Sequence, residues 1–183
     1  GVALRIEQIA LLPSAGLHPA MLTLVGNNFG AHRLDRIRET FKTCLLYGLV
    51  VMAVALGVVL PLAGVLMRQF TSDPAVIAIG QRYLYIEGLV YYAYVLLFGS
   101  VAFMQGLKKP MPAIYMGIYR QLVAPPLVFF LFAEVFGWGL NGIWWGIFTV
   151  TWSAAIVAFF WSRAALGKAE TIDAALKVTP AKI

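Results

Sequence analysis

Charge is what this sequence has least of. Only 12% of its 183 residues are Asp, Glu, Lys or Arg, against 61% hydrophobic. Soluble domains carry roughly a quarter charged and about half apolar residues. A soluble domain of this length has no interior large enough for so much apolar surface, so the composition reads as an integral membrane protein. Cysteine is almost absent. Cys44 stands alone, which excludes an internal disulfide and a multi-cysteine metal site. Its place between Thr43 and Leu45 at a helix start reads as inert packing. Enzyme signatures are absent too: no phosphate-cradling glycine loop with lysine, no G-x-S-x-G, no H-E-x-x-H. No paired nucleophile and base marks an intramembrane enzyme, so no enzymatic activity and no cofactor is expected. Strict apolar–polar alternation is missing, which excludes a membrane β-barrel. The sequence opens Gly1-Val2-Ala3 with no charged leader region. It already reads as membrane helix there, and the expectation is a piece whose preceding part is not included.

What is present is a series of long apolar runs. A membrane helix needs about 20 mostly apolar residues. Five runs qualify, over about 2–29, 43–67, 79–105, 112–136 and 140–161. The fold class expected is an all-α membrane protein with five transmembrane helices in residues 1–165, followed by a tail over 166–183.

The connections carry a charge pattern. Loop 31–42 holds Arg33, Arg36, Arg38 and Lys42, loop 107–111 holds Lys108 and Lys109, and the tail holds Arg163, Lys168, Lys177 and Lys182. These three segments contain ten of the 14 basic residues and share one side if all five runs span. The positive-inside rule puts them in the cytoplasm. The formal net charge of +6 therefore reads as a determinant of topology, and the lipid bilayer replaces nucleic acid as the expected partner.

Ionisable residues inside the runs are costly and become candidate functional groups. Arg5, Glu7 and Gln8 lie near the outer end of the first run and suit either interfacial anchoring or a cavity. Glu87 lies deeper. Tyr83, Glu87, Tyr91 and Tyr94 recur at helical spacing and share one broad face. A carboxylate among aromatic rings suits an organic cation, by charge and by cation–π attraction. The competing reading is a tyrosine belt at the interface. Arg120 lies about two turns into the fourth run, where structural use outweighs substrate contact. His18 has no partner of metal-ligating type near it in the sequence, and no metal site is expected.

Three motifs add a resemblance. The first is Leu24-Val25-Gly26-Asn27-Asn28-Phe29-Gly30-Ala31 followed by Arg33 and Arg36, a small polar helix end and a basic turn. The second is Gln105-Gly106-Leu107-Lys108-Lys109-Pro110, and the third is Arg120-Gln121, Pro125-Pro126, Phe136-Gly137 and Gly142-Ile143-Trp144. Together, in this order, they resemble the C-terminal half of a multidrug and toxic compound extrusion (MATE) transporter, on the bacterial DinF-like branch. The resemblance covers about residues 1–165. It implies helices eight to twelve of a twelve-helix fold in the bacterial inner membrane, with an N-terminal lobe as partner. It also implies export of cationic, amphipathic compounds in exchange for protons or sodium, without ATP.

The sequence departs from the pattern at one place. Some members pair a tyrosine with an acid in helix ten, and counting back from Gly106 lands near Val90 and Tyr94, without an acid. The candidate substrate or ion groups are therefore Glu87, Tyr91 and Tyr94, with Glu7 and Gln8 behind them. Gly26, Asn27, Gly30, Arg33, Arg36, Gly106, Lys108, Lys109 and Arg120 read as structural or topological. Two alternatives stay open. A related flippase for lipid-linked sugars would want basic groups facing its cavity. A membrane assembly subunit would have no transport cycle.

Overall fold

The computed structural model describes the backbone of residues 2–178, with the side chains of Gln8, Leu11, Leu12 and residues 15–171. Five helices run up and down: α1 (Val2–Gly30), α2 (Leu34–Arg68), α3 (Pro74–Gly106), α4 (Met111–Val135) and α5 (Gly139–Val178). There is no strand among the described residues. Four of the five, α2 to α5, are long and apolar enough to cross a membrane across their described residues. α1 has 29 residues, about 43 Å of helix, and most side chains of its first half lie outside the description.

α3 is the centre of the bundle. It packs against α1, α2 and α5 along its length and against the start of α4. Close approach makes this possible. A Cβ on Gly106 would stand 2.8 Å from the Val25 side chain and 3.1 Å from the Leu22 carbonyl oxygen. Gly26 faces the Gly106 carbonyl across the same crossing. Small residues earn their place this way in membranes, where tight contact replaces hydrophobic drive. On its other side α3 meets Ala154, Ala155 and Ala158 of α5, all fully buried. Ser162 Oγ lies 3.1 Å from the Ser100 carbonyl oxygen and 2.8 Å from that of Ala158.

The expected loop 31–42 is mostly helix. Only Ala31 to Arg33 separate α1 from α2, so the basic residues Arg36, Arg38 and Lys42 stand on the first turns of α2. α5 likewise runs on without a break past the expected end of its span. Its Ala165 and Leu166 join Ile37 and Phe41 of α2 in the core, and Arg38 lies 3.9 Å from Glu170. Both overhangs are amphipathic, and each covers the apolar side of the other. Lys177 belongs to the tail side chains outside the described residues, as do Asp173 and Lys182.

The two turns at this end share one geometry. His32 N–H donates to Phe29 O and Arg33 N–H to Asn28 O; Lys108 N–H donates to Gln105 O and Lys109 N–H to Met104 O. This is the Schellman closure of a helix end, which places one residue in the left-handed region. The residues there are His32 (φ 56°) and Lys108 (φ 58°), neither of them glycine. Gly30, expected to end α1, is its last helical residue, one step short of the turn. Asn27 contributes its carbonyl to Ala31 N–H, and Asn28 Nδ2 donates to Leu24 O at 2.8 Å. Arg33, Arg36, Lys108 and Lys109 are exposed. At the opposite end Asp73 caps α3, its Oδ1 accepting from Ala75 N–H at 2.8 Å, with Pro74 in the first turn.

α4 is irregular. It is α-helical over Met111–Ile118 and Ala124–Phe130, with π turns at Tyr119–Val123 and Leu131–Val135. Pro125 and Pro126 have no N–H to donate. The chain accommodates them with a wider turn, in which Ala124 N–H reaches back five residues to Tyr119 O. The α4 backbone comes close to that of α3 only in its first segment and leans on α5 for the rest.

Two stability outcomes follow. Gly106→Ala forces the α1–α3 crossing apart and costs about 1–3 kcal/mol, read as a lower unfolding midpoint of the detergent-solubilised protein. Lys108→Gly removes a left-handed non-glycine residue and raises that midpoint, by up to about 1 kcal/mol in stability. An unchanged midpoint for Gly106→Ala would mean the crossing is loose.

Candidate functional site

The splay of α4 opens a cleft of about 310 Å³. Tyr83, Glu87 and Tyr94 of α3 form one wall, Arg120, Gln121, Pro125 and Phe129 of α4 another, and Ile147, Val150 and Thr151 of α5 the floor. Such a mostly apolar cleft with a few convergent polar groups, set between helices, is the usual form of a small-molecule site.

Each wall has a local cause. At one end the Tyr83 ring meets Trp144 of α5 edge-on, centroids 5.9 Å apart. Next along α3 comes Glu87, whose side chain is only 1% exposed. Further on, Tyr94 and Phe98 stack nearly parallel, 8° between planes and 5.6 Å between centroids. The Arg120 guanidinium carbon lies 5.3 Å from the Tyr94 centroid and 5.5 Å from that of Phe98. The neighbouring Tyr119 hydroxyl is 2.8 Å from Ser153 Oγ, which donates to Val150 O at 2.9 Å. That link ties the first π turn of α4 to α5 and so sets where Arg120 sits. Trp152 Nε1 donates to Leu89 O at 3.2 Å, holding α5 against α3.

Of the residues singled out in the sequence, the cleft brings together Glu87, Tyr94 and Arg120. Tyr91 is not among its lining residues. It is 1% exposed and packs with Met52 and Leu56 of α2 and with Val95. The reason is helical drift: each step of four residues advances about 40° around the axis, so two steps from Tyr83 carry Tyr91 about 80° away, while Tyr94 returns to within about 20°. Gln8 is exposed on α1, and the Glu7 side chain lies outside the described residues. Tyr85 faces outward, 53% exposed, where a belt residue would stand. Gln121 was named only as part of a motif, and Phe129 and Thr151 were not singled out, because a single residue in an apolar run carries no mark of which face it will occupy. Among the described residues no group of three or more His, Cys, Asp or Glu is placed to hold a metal ion.

Comparison with known proteins follows the same lines. The family model MatE matches residues 1–130. The chain is 27% identical over 151 residues to the probable multidrug resistance protein NorM of Thermotoga maritima; the match takes in 80% of this chain and 32% of that protein. Its fold is similar to an inward-facing and to an outward-facing structure of a multidrug resistance MATE family transporter of the MOP superfamily. Each has a TM-score of 0.85 at 20% identity over 92% of this chain; the match takes in 39% and 38% of the respective structures. The chain thus spans about a third of the length of the relatives it matches. With most of its residues matched by one family model and its whole bundle shared with that family's structures, the chain belongs to the MatE family.

Proposed function

We propose that this chain is the C-terminal helical bundle of a secondary antiporter that exports cationic, amphipathic compounds in exchange for protons or sodium. The single observation that carries the reading is the cleft, where a buried carboxylate, Glu87, stands on a wall with tyrosine rings on either side of it. Charge and cation–π attraction both favour an organic cation there. The carboxylate can equally hold a proton or a sodium ion. If the ion and the drug favour opposite-facing states, exchange follows from their competition for the bundle.

The likeness to inward- and outward-facing structures at the same TM-score supports a bundle that rocks as a body. Its fold is compatible with both states, so alternation would come from its movement against an N-terminal lobe. The basic turns, on His32 and Lys108 and along the first turns of α2, would lie on the cytoplasmic side of a bacterial inner membrane. The flippase alternative draws on Arg120, the one cationic residue lining the cleft among the described residues; Glu87 in the same cleft weighs for the cation.

Glu87→Gln in the full-length transporter is expected to lower export of an amphipathic aromatic cation about tenfold or more, with the protein's abundance in the membrane unchanged. Drug efflux from intact cells and an immunoblot of the membranes measure the two. Undiminished efflux would remove Glu87 from the transport site.

A further inference from the structure

Three lysines at the basic end of the bundle have no part in the cleft. Lys108 and Lys109 form the α3–α4 turn, and Lys168 stands on the last stretch of α5; all three are exposed. Charge at this end is unevenly balanced. On the α2 side, Arg33, Arg36, Arg38 and Lys42 are interleaved with Asp35 and Glu39. Glu170 of α5 is turned to that side as well, toward Arg38. Arg163 shares its face and leans on the Phe159 ring, 5.8 Å from the centroid. Between Glu87 and Glu134, and again between Glu134 and Glu170, the sequence has no acid. Glu170 is two positions from Lys168, a spacing at which helix side chains do not face each other. Among the described residues none of the three lysines forms an ion pair.

A groove lies beside these lysines. The backbones of α4 and α5 come closest beyond Ala124 and diverge toward Met111. There the rings of Tyr115 and Trp161 bridge the two helices, 3° between planes and 6.2 Å between centroids, and both are exposed. Lys168 is seven residues past Trp161, about 10 Å further along the same face of α5. In the other direction exposed Ile118 and Val157 continue the groove as an aliphatic wall. Cations, amphipathic rings and aliphatic side chains therefore follow one another along it. A phospholipid with an anionic head has the complementary order: phosphate, ester region, acyl chain. Tyrosine and tryptophan favour the level of the ester region, and basic pockets between helices on the cytoplasmic side suit anionic heads.

We propose that this α4–α5 groove seats one anionic phospholipid, its phosphate among Lys108, Lys109 and Lys168 and an acyl chain over the Tyr115–Trp161 rings. The lipid is a bound partner and not cargo. None of these five residues lines the cleft of Glu87, so the seat stands apart from the transport reading.

The test titrates the full-length protein in detergent with phosphatidylglycerol and, separately, phosphatidylcholine, and counts bound lipid by native mass spectrometry. Replacing Lys108, Lys109 and Lys168 together by glutamine is expected to weaken one phosphatidylglycerol site about tenfold or more and to leave phosphatidylcholine uptake unchanged. A charge-matched control, Arg33→Gln with Arg36→Gln and Lys42→Gln, is expected to keep that site. Equal losses in the two triple variants mean diffuse attraction to a basic surface and overturn the seat, as does no loss in the first. Tyr115→Leu with Trp161→Leu is expected to weaken the same site about threefold or more; Trp161→Leu alone serves if the pair does not accumulate. Undiminished binding there places the lipid outside the groove and overturns the proposal. Inorganic phosphate at the same concentration is expected to leave the lipid bound. Displacement by phosphate makes the lysines a site for a free anion, which also overturns it.

Discussion

The structure depends on how closely other helices can approach α3. Hydrocarbon surrounds the outside of such a bundle, so apolar side chains gain little by leaving it for one another, and helices associate through tight packing and hydrogen bonds. At Gly106 the backbone of α1 comes within reach of the α3 backbone. At Ser100 and Ser162 the α3–α5 seam adds a buried polar contact amid alanines. These contacts use up most of the circumference of α3. The face left toward α4 carries Tyr83, Glu87 and Tyr94, while Tyr85 and Leu89 point outward elsewhere on α3.

The cleft exists because α4 does not close over that face. A regular helix with α4's composition would be free to lie along α3. The Pro125-Pro126 pair and the π turn before it redirect the chain onto α5, where Gly142 and Gly146 receive Phe132 and Phe129. The same π turn rotates Arg120 inward while the Tyr119–Ser153 contact holds it. Irregular backbone, a charged residue and aromatic stacking therefore coincide at one place. That fits a general pattern, in which π turns inside α-helices are frequent at functional sites.

Much of the architecture was legible in the residues. The apolar runs foretell five helices, and the small polar stretch Gly26-Asn27-Asn28-Phe29-Gly30 marks the end of the first. The span boundaries were less legible. Arg36, Arg38 and Lys42 read as loop by charge, yet they extend α2, because an exposed basic turn costs a helix nothing once its apolar side meets Leu166. The left-handed positions were invisible, since His32 and Lys108 occupy sites where glycine is the usual signal. At the cleft, helical spacing grouped Tyr91 with Glu87, and the accumulated drift of the helix separated them.

The sequence by itself determined that this is a helical membrane protein, how many long helices it has, and which ends share a side. Those properties follow from local quantities: the length of an apolar run, the density of lysine and arginine, the presence of a turn. Only the tertiary structure decided which of the polar residues meet. Glu87 and Arg120 are 33 positions apart in the chain and share a cleft, because the π turn and two prolines of α4 lean it on α5 and leave one face of α3 uncovered. No local pattern encodes that, since the direction of a bent helix is set by what it packs against.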